Sequence, residues 1–136
     1  MTKSSISFNW SDAWVLLAII IASKEGLATL ATIIEAGDGI NFAVFKPEEL
    51  ESGLARLTAG GYVEEKAGNF YPTKLAFNYT NDPTKRRAIH KQLKDIETML
   101  GTAAATSEQR SPNNLKYAGF SIAAYDSAVA KYVEDA

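Results

Sequence analysis

No cysteine occurs among the 136 residues, which excludes disulfide frameworks and thiolate metal sites and leaves a reducing cytoplasm compatible with the chain. Histidine is nearly missing too: His90 stands alone, so neither a histidine zinc cluster nor a catalytic arrangement needing a second imidazole can form. There is no positive charge excess. A formal net charge of -2 gives no overall attraction to polyanions, so nucleic-acid binding would need a local basic patch. The one membrane-like run, AWVLLAIIIA at residues 13–22, is far short of the roughly 20 residues a span requires. Lys3, the only cation ahead of it, makes a poor secretory leader. Gly37-Asp38-Gly39 lacks both the G-x-G-x-x-G spacing and the G-K-[ST] end of phosphate-cradling loops. Neighbouring acids such as Glu48-Glu49 and Glu64-Glu65 diverge from one another and share no catalytic proton. The expectation is a cytoplasmic non-enzyme with no catalytic residues, no cofactor, no metal and no membrane segment.

What is present reads as one soluble core, with 46% hydrophobic and 22% charged residues. The run at 13–22 is apolar on every side, as a central buried helix would be, with Ser11 or Asp12 as its N-cap and Lys24-Glu25-Gly26 closing it. A second helix is expected from near Thr29, turning Leu30, Ile33 and Ile34 inward and stopping at Gly37, so that GDGIN becomes a turn. Phe42, Val44 and Phe45 form an apolar connector. Pro47 followed by Glu48 and Glu49 then opens a third helix, whose buried stripe is Leu50, Leu54 and Leu57.

The stretch LESGLARLTAGGYVEEKAGNFYPTK, residues 50–74, passes from helical rhythm through Gly60-Gly61 into two short strands, 62–66 and 70–72, around an Ala67-Gly68-Asn69 turn. With the two preceding helices, this segment resembles the winged helix-turn-helix superfamily, in particular MarR-like and PadR-like bacterial regulators, over about residues 11–79. The resemblance implies a mainly α fold with a small β-hairpin wing (α+β): a winged-helix domain over 1–80 and a helical C-terminal extension over 81–136. It also implies a transcriptional regulator that binds double-stranded DNA.

In such a regulator the third helix would read the major groove and the wing would meet the backbone. Projection at 100 degrees per residue places Glu48, Ser52, Ala55 and Ala59 opposite the leucine stripe, with Glu49 and Arg56 on one flank and Glu51 and Thr58 on the other. The candidate groove contacts are then Arg56, Ser52 and Thr58, with Lys46, Lys66 and Lys74 on phosphates. Lys46, Arg56, Lys66 and Lys74 are nevertheless outnumbered by Glu48, Glu49, Glu51, Glu64 and Glu65, a balance that opposes a polyanion. A stronger basic cluster, Lys85, Arg86, Arg87, His90, Lys91 and Lys94, follows the wing, and Arg86 and Arg87 join the candidate phosphate contacts.

The extension is expected to hold a helix over 82–100, capped by Asp82-Pro83, a small polar linker over 101–114 and a terminal helix over 121–134 opened by Ser121. Ile89, Leu93, Ile96 and Leu100 make a narrow seam that could zip to a second copy or lie against its own domain. Tyr125, Val129 and Tyr132 share one side of the last helix, and with that seam they are the candidate homodimer interface. A competing reading is a winged-helix scaffold without nucleic-acid binding that holds a protein partner on its Ala55/Ala59 face or its C-terminal helices.

Overall fold

In the computed structural model, which describes residues 8–41, 43–80, 88–101 and 121–135, the first helix is the axle of the molecule. Helix α1 (Trp10–Glu25) buries Ala13 through Ile20 without interruption, as its lack of a polar side requires. Its start lies two or three residues earlier than Ser11 or Asp12 would place it. Asn9 is the extended N-cap residue, and Asp12, at the third helical position, accepts the Asn9 N–H at 2.8 Å, half of a capping box. Among the described residues no single helix is long and apolar enough to cross a membrane.

Helix α2 (Leu30–Asn41) packs on α1 and buries Ile33 and Ile34. It does not stop at Gly37, as its glycine-rich end suggested. That residue is interior to the helix, where a Cβ would come within 2.3 Å of Phe45 Cε2. What Gly37 contributes is space, since Phe45 is fully buried there against Trp14, whose Nε1–H donates to the Gly37 carbonyl at 2.9 Å. Of the connector, Val44 is exposed and Phe42 lies outside the described residues.

Helix α3 (Pro47–Ala59) has proline in its first turn, and Glu49 accepts the Lys46 N–H at 2.9 Å. Leu50, Leu54 and Leu57 are fully buried, as their spacing predicts. Strands β1 (Val63–Lys66) and β2 (Asn69–Pro72) pair antiparallel, with Lys66 opposite Asn69. Ala67 and Gly68 therefore form a two-residue turn, both at positive φ (54 and 82 degrees), the twist that suits a hairpin. The hairpin is tied to the body twice. Phe70 N–H donates to the Ala28 carbonyl between α1 and α2 at 2.9 Å, and Thr73 Oγ1 donates to the Gly61 carbonyl at 2.6 Å.

A 3-10 turn (Lys74–Phe77) follows, then helices α4 (Ile89–Leu100) and α5 (Ile122–Asp135). The expected Asp82-Pro83 cap and the linker beyond Gly101 lie outside the described residues. Ser121 does open α5, its Oγ accepting the Ala124 N–H at 3.0 Å. Helix α4 lies against α1 and α5 against α2, so that among the described residues five α-helices and one hairpin form a mainly helical α+β arrangement.

Gly37→Ala should therefore cost about 1–3 kcal/mol through overpacking on Phe45. Gly39→Ala, whose new Cβ meets nothing within 4 Å, should gain about 0.5–1 kcal/mol. Urea unfolding of both variants checks this, and an unchanged midpoint for Gly37→Ala would contradict the close approach.

Candidate functional site

The setting of α3 on α1 decides which side chains can meet a partner. Asp12 of α1 and Arg56 of α3 are both buried, Arg56 with 1% of its surface exposed. Arg56 Nε donates to Asp12 Oδ2 at 2.7 Å and Nη2 to Oδ1 at 3.1 Å, the parallel fork that a planar guanidinium offers a carboxylate. Burial pushes the Asp12 carboxyl above its ordinary value, while the Arg56 guanidinium and the Asn9 N–H pull the other way. A pair held at such desolvation cost contributes little net stability, yet it leaves either partner uncompensated if α3 rotates.

Gly53 lets the two helices approach this closely. A Cβ there would lie 3.0 Å from Val15 Cγ2 and 3.3 Å from Asp12 Oδ1, at the tight end of real contacts. Ser52 beside it is 2% exposed. Helix α3 thus buries two sides, one of leucines and one of Ser52, Gly53 and Arg56. The projection from sequence registered only the first, because serine, glycine and arginine do not read as a buried face.

Two of the proposed groove contacts are accordingly corrected: Arg56 is buried on Asp12 of α1 and Ser52 is buried beside it, so neither side chain is exposed on the surface of α3. Thr58 stays half-buried at the surface, but its hydroxyl bonds back to its own helix, at 2.8 Å from the Leu54 carbonyl. The outward side of α3 is Glu48, Glu51, Ala55, Thr58 and Ala59, which contains no cation. Lys46, Lys66 and Lys74 are exposed, as are His90, Lys91 and Lys94, while Arg86 and Arg87 lie outside the described residues.

The start of α3 borders a polar hollow of about 250 Å³ lined by Asn9, Ser11, Lys46, Glu48, Glu49, Ser52 and, at its buried floor, Arg56. Glu48 and Glu49 already sit in this first turn, where their charge meets the positive end of the helix and disfavours a phosphate. Among the described residues no group of three or more His, Asp or Glu side chains is placed to hold a metal ion.

No family model, curated protein or solved structure matches this chain.

The candidate dimer residues are drawn into the chain's own packing. Ile96 and Leu100 are buried within the chain and Leu93 is half-buried on α4, while Ile89 remains 42% exposed. Trp10 Nε1–H fastens α4 further by donating to Glu97 Oε2 at 2.9 Å. On α5, Tyr125 and Tyr132 are two helical turns apart, and their hydroxyls donate to the Phe45 carbonyl and Asp38 Oδ2 respectively. The hydrogen bond to Asp38, then desolvation, raises the Tyr132 phenol above its ordinary range. Desolvation, then Asp126, Glu48 and Glu49, raises that of Tyr125.

Asp12 is the residue that sequence reasoning missed, having taken it for a cap. One signal was available: α1 carries a single acid ahead of its apolar run, and α3 a single arginine.

Arg56→Met alone should cost roughly 3–5 kcal/mol, because it leaves the Asp12 charge buried without its partner. The double variant Asp12→Leu/Arg56→Met should return to within about 1 kcal/mol of the parent. A urea double-mutant cycle measures the coupling, and additive single effects would show that the two side chains are not coupled.

Proposed function

We propose that this chain is a winged-helix-like interaction module whose outward α3 face holds a protein partner instead of reading DNA. The observation that carries this reading is the inward fork of Arg56 onto Asp12. It removes the only guanidinium α3 possesses from any groove contact. What α3 turns outward is two carboxylates and small side chains, Glu48 and Glu51 beside Ala55, Thr58 and Ala59. Carboxylates repel phosphates, and alanines allow another helix to approach closely.

The hairpin supports the same conclusion, since Glu64 and Glu65 are exposed on β1 and Lys66 is its one cation. A complementary partner would bring basic side chains to Glu48 and Glu51 and an apolar ridge to Ala55 and Ala59.

The competing proposal, a DNA-binding transcriptional regulator acting as a homodimer, draws on the resemblance and on the exposed Lys46, Lys66, Lys74, Lys91 and Lys94. These lysines would supply phosphate contacts, which position a protein on a duplex without reading sequence.

Fluorescence anisotropy on mixed-sequence duplex at low salt separates the two. The parent chain should bind no more tightly than about 10⁻⁴ M, the weak end of non-specific association. Ala55→Lys/Ala59→Lys should strengthen duplex binding and abolish partner cross-linking from a photoreactive residue placed at Glu51. Micromolar, salt-sensitive duplex binding by the parent would favour the regulator. Cross-linking that survives the two lysines would exclude this face as the partner site.

A further inference from the structure

Away from α3, a cavity of about 380 Å³ opens between the end of α1, one side of α2 and the first turn of α4. This volume lies within the roughly 300–1,000 Å³ of small-molecule sites. Its apolar lining comes from Ile21, Ala22, Ala36 and Ile40. Leu27 and Ile89 border it, and they are 59% and 42% exposed. Large apolar side chains at that exposure lose water when a ligand covers them.

The polar character of the cavity is of one sign. Glu25 from α1 and Glu35 from α2 line it, and both are exposed. Thr32 lines it too, but its hydroxyl already donates to the Leu27 carbonyl at 2.8 Å. Glu25 ends α1, and Gly39 and Ile40 belong to the last turn of α2, so the negative ends of two helix dipoles add to the two carboxylates and with them outweigh the positive end of α4 at Ile89. Among the described residues no lysine, arginine or histidine lines the cavity.

We infer that this cavity binds a small organic ammonium ion with an aromatic or branched apolar body. The body covers Ile21, Ile40, Leu27 and Ile89, and the ammonium group sits between Glu25 and Glu35. The site is separate from the α3 face and stands or falls independently of the partner proposed there.

Gly39 provides a clean way to close the cavity. A Cβ at Gly39 meets no atom within 4 Å, so Gly39→Leu puts a side chain into open space in a helix that tolerates leucine well. Isothermal titration of the full chain at neutral pH with naphthylethylamine, and with uncharged naphthylethanol as its counterpart, tests the inference.

The amine should bind about five- to tenfold more tightly than the alcohol, the gain expected from two exposed charge pairs. Glu25→Gln/Glu35→Gln should bring that preference below about twofold and leave alcohol binding unchanged. Gly39→Leu should remove binding of both compounds while its thermal unfolding midpoint holds or rises. Equal binding of amine and alcohol by the parent, full binding by a folded Gly39→Leu variant, or no heat from either compound would each overturn the assignment. If Gly39→Leu fails to fold, the glutamine variant decides it through the ratio of the two affinities.

Discussion

The bidentate contact between Arg56 and Asp12 governs how α3 can be used, because it selects one rotational setting of that helix on α1. Leucines at positions 50, 54 and 57 alone would tolerate small rotations, since hydrophobic contact is not directional. A buried guanidinium is less forgiving. Turning α3 by one residue, about 100 degrees, would leave both charges desolvated and uncompensated. The same setting determines the outer surface: with Ser52, Gly53 and Arg56 held against α1, Glu48, Glu51, Ala55, Thr58 and Ala59 are what remains for another molecule.

Legibility followed the strength of the local signal. The all-apolar run became α1, Pro47 opened α3, the leucine spacing gave its first buried stripe, and the hairpin turned at Ala67-Gly68, one residue shorter than the expected turn because Asn69 already pairs in β2. Each of these is a local preference that tertiary packing reinforced. The end of α2 was misread because glycine has two uses. As a helix terminator it supplies a left-handed conformation, whereas at position 37 it stays helical and makes room for the Phe45 ring. That need is non-local, and nothing in the residues around Gly37 announces it. The candidate site was less legible still. Whether an arginine on a helix meets solvent or a buried carboxylate depends on which helix crosses it, and Asp12 lies 44 positions away.

Glycine and acid together explain how α1 accepts neighbours on several sides. Where α3 crosses, Gly53 removes the Cβ that would otherwise strike Val15, and the polar fork lies beside that crossing. Across α2, Trp14 inserts its ring beside Phe45 and satisfies its indole N–H on the Gly37 carbonyl. The two contacts differ in kind. One is a charge pair that demands a register, and the other is an aromatic wedge with a single hydrogen bond, which fills volume. An apolar helix is surrounded in this way because each of its few polar groups is spent on a different neighbour: Asp12 on α3, the Trp14 indole on α2 and the Trp10 indole on α4.

The C-terminal helices apply the same rule and so constrain any assembly. Helix α4 has the seam expected of a short zipper, but its inner positions, Ile96 and Leu100, are already covered by the chain itself, and Trp10 bonds to Glu97 alongside them. Helix α5 is pinned at both ends by tyrosine hydroxyls, with Ala128 buried between them. A second copy reaching these positions would have to break contacts that already exist, so its gain would be the difference between two similar interfaces and not the whole of a new one. Surfaces that lack such an internal partner carry the larger driving force. Among the described residues of the C-terminal helix, the large apolar side chains still exposed are Ile122 and Val133, at 58% and 65%.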